Sequence, residues 1–221
     1  MAGVTFDWSS IDTVLLDMDG TLLDLEFDNV LWNDSLPGRY AARHGISEND
    51  ARLRLHAHFD STRHTIDHYC LDYWARFTRI DLLALHREHR HLIRYRPHAS
   101  AFLERVKRTG RRVVLVTNAH RASLSLKDEV TRLTAAVHRT VSSHDFVAPK
   151  ETPDFWRRLD ELEPFRADRT LLIDDNAVVL DAARNHGITQ LLTVTQPDSA
   201  RPPRVGLPYA AFNHFDEIMP S

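Results

Sequence analysis

Short apolar runs recur along the chain at Thr13–Asp17, Arg112–Thr117, Arg169–Asp174 and Gln190–Val194, with a shorter one at Thr140–Ser142. Each is rich in Val, Leu or Ile and too short for a buried helix, so each predicts a strand with both faces covered. Between them the apolar positions fall at helical spacing. His98 to Thr109 places Phe102, Leu103 and Val106 on one side, and Gly110 stops it. Thr152 to Leu162 carries Phe155, Trp156, Leu159 and Leu162. Ala177 to His186 runs from a capping Asn176 to a stop at Gly187. Continuous apolar strands that alternate with helices predict an α/β fold: a Rossmann-like three-layer core with a parallel sheet.

The pattern changes between residues 25 and 95, where strand signals vanish. Ser47-Glu48-Asn49-Asp50 reads as a helix start, with Asp50 in the acid position of a capping box, and Asp81 caps a helix through Leu82, Leu83 and Leu85. The expected organisation is an α/β core from residues 1–24 and 96–221 that carries a helical cap, 25–95, inserted after the first strand. Pro197 to Pro208 reads as an irregular surface loop.

Composition narrows the class. The chain has 221 residues, 43% hydrophobic and 27% charged, which is globular and long enough for a full core. A formal net charge of −3 carries no basic field for nucleic acid. One cysteine, Cys70, excludes an internal disulfide, fits a reducing compartment and reads as a small core residue. The N-terminus lacks a basic region before its apolar residues, so it is not a secretory signal, and no stretch reaches membrane-span length. The expected location is the cytoplasm, with no membrane or nucleic-acid partner.

The chemistry gathers at the carboxyl ends of the predicted strands, where open α/β sheets bind ligands. Asp17-Met18-Asp19-Gly20-Thr21 follows the first. Carboxylates two residues apart repel unless a cation lies between them or one is protonated, and a carboxylate is a competent nucleophile toward phosphorus. Thr117 and Asn118 end the second strand, ahead of a helix expected to start near Arg121 or Ala122, and offer phosphate donors; they also suit a turn and a cap. Lys150 offsets charge on a transferring phosphoryl group or is a solvated surface lysine. Asp174 and Asp175 end a further strand and suit a cation or a helix cap. Magnesium prefers such oxygen ligands. Asp17, the carbonyl of Asp19 and Asp175 would supply the protein share, with Asp174 close by.

Acid pair, hydroxyl, lysine and acid pair, in that order, resemble the four signature motifs of the haloacid dehalogenase-like superfamily. DMDGT matches the first, Thr117 the second, Lys150 the third and Asp174-Asp175 the fourth. Within it, IDTVLLDMDGTLLDLEFDN, HYCLDYW, TNAH, PKE and TLLIDDN look similar to the bacterial GMP/IMP nucleotidases. The resemblance implies a magnesium-dependent phosphomonoesterase acting on purine nucleoside monophosphates, as monomer or homodimer. It makes Asp17 the nucleophile, Asp19 the acid and base, and Thr117, Asn118 and Lys150 the phosphate-binding groups. The dehalogenases lack an acid at position 19, so Asp19 favours phosphoryl transfer. Two rivals stand beside this reading: a sugar-phosphate phosphatase or phosphomutase, and a non-catalytic regulator that binds a phosphate ligand.

In the insertion, Trp32, Tyr69, Tyr73 and Trp74 suit stacking on a base or helix packing. Arg39, Arg63 and Arg76 suit a phosphate or plain solvation. Of 14 histidines, His64 and His68 stand one helical turn apart, and His120 follows Thr117-Asn118. There is no HExxH pattern and no Cys/His spacing suited to zinc.

Overall fold

The computed structural model describes residues 7–220; the reading of residues 1–6 lies outside it. Six parallel strands form one sheet: β1 (Thr13–Leu16), β2 (Arg112–Thr117), β3 (Arg139–Ser142), β4 (Thr170–Ile173), β5 (Gln190–Val194) and β6 (Ala210–Phe212), in the order β3-β2-β1-β4-β5-β6. The continuous apolar runs are explained by two cores. Val14, Leu16, Val113, Leu115, Leu171 and Ile173 enter one layer. Their neighbours Leu15, Val114, Val116 and Leu172 enter the other, against Phe155, Trp156, Leu159, Val179 and Leu180. Successive side chains alternate across a sheet that is covered on both faces, as the pleat requires.

Eight longer helices follow in chain order: α1 (Leu36–His44), α2 (Glu48–Thr62), α3 (Leu71–Thr78), α4 (Leu82–Glu88), α5 (Ala99–Arg108), α6 (Arg121–Thr131), α7 (Pro153–Leu162) and α8 (Ala177–Asn185). Residues 25–94 contain helices and turns but no strand. The chain enters and leaves this stretch through two adjacent segments: Asp24 N–H donates to the Arg94 carbonyl and Arg96 N–H to the Leu22 carbonyl. Phe27, Leu31, Leu55, Trp74 and Leu85 of the stretch share one buried cluster with the sheet face.

Several local expectations are sharpened. β1 and β4 stop at Leu16 and Ile173, one residue short of their acids. Ser47 caps α2 by accepting from Asp50 N–H, but its hydroxyl donates to the Asp50 carboxylate, so the capping box is not completed through the backbone. Asp81 caps α4 through Ala84 N–H. A π-helical turn, Val30–Ser35, precedes α1. Pro37 has no N–H for the Asn33 carbonyl four residues back, and Arg52 donates to that carbonyl instead, at 2.5 Å. The Pro197–Pro208 segment is not wholly superficial. Pro197 and Asp198 are buried, and Asn29 Nδ2 donates to Asp198 Oδ2 at 2.6 Å.

Candidate active site

Register assembles the site. Leu16 pairs with Ile173 across β1 and β4, and Asp17 N–H donates to the Ile173 carbonyl at 3.0 Å. The next residues, Asp17 and Asp174, therefore leave the sheet side by side. Leu16 also pairs with Leu115, which sets the end of β2, Thr117, on the other side of Asp17. Asp17, Asp174 and Asp175 each present a carboxylate oxygen within 4.8 Å of the others.

Lys150 is buried, not solvated. Its Nζ lies 2.6 Å from Asp17 Oδ1, 2.7 Å from Asp174 Oδ2 and 3.2 Å from the Val116 carbonyl. Burial opposes its charge, yet the two carboxylates hold its pKa above the usual lysine value. Asn118 positions this loop: its Oδ1 accepts from Lys150 N–H at 2.9 Å, and its Nδ2 donates to Glu151 at 3.0 Å. Thr117 Oγ1 accepts from Ala119 N–H at 3.0 Å and keeps its proton for a further partner. α6 is capped by His120, whose Nδ1 faces Ala122 N–H, and α8 by Asn176. Neither Thr117 nor the Asp174-Asp175 pair is spent as a helix cap.

Burial first, and then mutual repulsion, raises the acids. Asp17 lies well above the usual carboxylate range despite Lys150, and Asp175 is lifted to about 7 by burial and by Asp174. A cluster of buried carboxylates of this kind is relieved by a cation. All-oxygen donors in a tight group fit a hard divalent ion. Gly20 keeps the group close: it has φ +81°, and a Cβ there would stand 2.8 Å from Asp175 Cγ. Arg204 Nη1 donates to the Asp175 carbonyl at 2.9 Å.

Asp19 is placed differently from the other acids. Its Oδ1 accepts from Lys127 Nζ at 2.7 Å, and Lys127 also holds both oxygens of Asp28, at 2.8 and 2.9 Å. Its side chain is held on Lys127 and is not one of the three grouped acids. Burial and the charge of Asp28 lift its pKa to about 6, against the pull of Lys127.

Asp17, Asp19, Asp28, Thr117, Asn118, Lys150, Asp174 and Asp175 face a cavity of about 650 Å³, which Trp32, Phe59 and Tyr69 of residues 25–95 line from the other side. Trp32 and Phe59 meet edge to face there, 5.5 Å apart. Tyr69 donates to the Glu151 carboxylate. Of the other aromatic candidates, Trp74 is fully buried and Tyr73 stacks on His58, so both are packing residues. Arg39 pairs with Glu88, and Arg63 with Asp60.

The sequence reading missed Lys127, Asp28, Tyr69's partner Glu151 and Arg204. Lys127 offered one signal: it follows Ser123 by four residues and Leu124 by three, on the buried face of α6.

A profile of the haloacid dehalogenase-like hydrolases matches residues 11–187. The GMP/IMP nucleotidase YrfG of Escherichia coli (strain K12) is 37% identical over 218 residues, spanning 99% of this chain and 98% of that protein. The nucleotidase of the same name from Shigella flexneri matches equally. A HAD phosphatase from Thermococcus onnurineus superposes with a TM-score of 0.76 at 20% identity, over 94% of this chain and 96% of that one. The L-2-haloacid dehalogenase of Xanthobacter autotrophicus does so with a TM-score of 0.55 at 15% identity, over 84% and 78%. The structural likenesses show the fold. The profile match and the 37% identity over nearly the whole length show the family: this chain belongs to the haloacid dehalogenase-like hydrolases and is an enzyme of that class.

Proposed function

We propose that the protein is a magnesium-dependent 5′-nucleotidase that hydrolyses purine nucleoside monophosphates of the GMP and IMP type. The observation that carries the phosphatase reading is the meeting of Asp17, Asp174 and Asp175 around Lys150 at the ends of β1 and β4. The nucleotide reading is supported by the 37% identity to a GMP/IMP nucleotidase, which runs through the insertion.

With Oδ1 on Lys150, Asp17 keeps its other oxygen for attack on phosphorus. That oxygen forms the new P–O bond as the ester P–O bond breaks, and Asp19 gives its proton to the departing oxygen. Water then adds to the phosphorus of the aspartyl-phosphate, Asp19 takes its proton, and Asp17 is released. Lys127 is a positioning residue that aims the Asp19 carboxyl. Thr117 and Asn118 hold the phosphoryl oxygens, and Lys150 balances their charge. Asp17, Asp175 and the Asp19 carbonyl would hold magnesium beside Asp174, and the ion supplies positive charge against the transferring group. Residues 25–95 act as a cap that shuts water out in the first step and admits it for the second.

The test is a panel of GMP, IMP, AMP and several sugar phosphates, with and without magnesium. Release of phosphate from GMP and IMP that depends on magnesium supports the reading. A clear preference for sugar phosphates overturns the nucleotidase claim, and absence of any magnesium-dependent phosphate release overturns the enzymology.

A further inference from the structure

We propose that Cys70, His120 and His144 form a second metal site, selective for a borderline-soft transition ion such as zinc, that joins the helical insertion to the sheet domain. The three residues are scattered in sequence, which is why no zinc spacing is visible there. Cys70 lies just before α3 in the insertion, His120 at the start of α6, and His144 in the turn Ser143–Asp145 after β3. The fold brings one ligand atom from each within 4.8 Å of the others. The two imidazoles meet edge to face, 4.9 Å apart.

An independent observation points to a ligand. His144 Nε2 is buried and makes no hydrogen bond of good geometry, although the Tyr69 backbone lies close enough to the ring to act on it. Coordination through its lone pair gives that nitrogen a partner. The donor set is one sulfur and two imidazole nitrogens. It suits zinc or cobalt and binds magnesium poorly, since magnesium prefers oxygen, so it differs in chemistry from the three-acid cluster. Zinc bonds of ~2.0–2.3 Å bring the ligand atoms of a tetrahedral site closer together than the 4.8 Å limit within which these three lie. Three protein ligands leave a fourth position for water. Coordination through His120 Nε2 moves the ring proton to Nδ1 and releases the long 3.3 Å contact from Ala122 N–H. Asp72, whose carboxylate lies 3.8 Å from that Nε2, adds negative charge beside the ion.

The site also bears on turnover, a consequence that rests on the proposed function. His120 lines the same cavity as Asp17, and Cys70 is carried by the insertion. A bound ion therefore fastens the insertion beside the phosphate loop and slows any step that needs it to open.

The experiment uses the full chain, with magnesium in excess to fill the acidic cluster. Cobalt(II) is titrated and absorbance recorded. The expected result is a near-ultraviolet thiolate-to-cobalt charge-transfer band that saturates at one ion per chain and collapses on adding zinc. Cys70→Ser and Cys70→Ala, checked by thermal melting to be folded, lose the band; His144→Ala weakens binding. Cobalt bound without the band, or a band that survives both cysteine variants, overturns the site. In parallel, zinc is expected to slow phosphate release from p-nitrophenyl phosphate by wild-type protein and to leave Cys70→Ser largely unaffected; equal inhibition of both removes the fastening role. The cobalt band reads the site whatever the enzyme hydrolyses, so failure of the nucleotidase assay alone leaves this inference standing.

Discussion

Lys127 Nζ lies 2.7 Å from Asp19 Oδ1, and Lys127 is 1% exposed. A buried ammonium with two carboxylates around it fixes the direction of the acid that the proposed reaction needs. Lys127→Met is expected to lower kcat/KM for a nucleoside monophosphate on the order of 10²-fold. The fall for p-nitrophenyl phosphate should be much smaller, since its leaving group needs no proton. Lys127→Arg should recover part of the loss. Equal losses on both substrates would remove the positioning role.

Asp17→Asn keeps the shape of the side chain but removes the nucleophile. Phosphate release is expected to fall to background, on the order of 10³-fold or more, while the melting curve survives. A purified Asp17→Asn protein with near-normal turnover would end the assignment.

Gly20→Ala places a Cβ against the Asp175 carboxylate at a backbone angle of φ +81°. The strain is expected to cost about 1–2 kcal/mol of stability. Because the clash falls on Asp175, the magnesium concentration for half-maximal activity should rise. A variant with wild-type magnesium dependence would show that Asp175 is not held by this close approach.

His86 is buried, and its Nδ1 faces the Leu82 carbonyl at 2.7 Å. Burial first, and then Lys127, lowers its pKa from 6.5 to about 4. Above about pH 6.5 the ring is neutral in both folded and unfolded chains. As pH falls from 6.5 towards 4 the unfolded chain takes up the proton first, so this residue withdraws stability, by about 3 kcal/mol at the lower end. The raised acids of the site act in the opposite direction, so the comparison is with His86→Gln. The variant should lose less stability than wild type between about pH 7 and pH 4. Parallel curves in denaturant would contradict the assignment.

Much of this was legible in the sequence. The apolar runs located five strands because strands buried on both faces leave no polar alternation to confuse them. β6 was missed: it has three residues, pairs on one side only and follows a proline-rich loop. Asp17 and Asp174 were visible because each directly follows an apolar run, and Asp19 and Asp175 because they stand beside them. Lys127 and Lys150 were harder, since a lysine is almost always solvated and only the folded surroundings show otherwise. The Cys70, His120 and His144 group was invisible for a different reason. Its members come from three unconnected segments, and no local period encodes their meeting.

Leu23 and Tyr95 stand side by side in an antiparallel bridge, although 71 residues lie between them. The loop that starts and ends there closes on itself at the doorway of the sheet. Its length can therefore grow or shrink through evolution without displacing the strand tips that hold the acids.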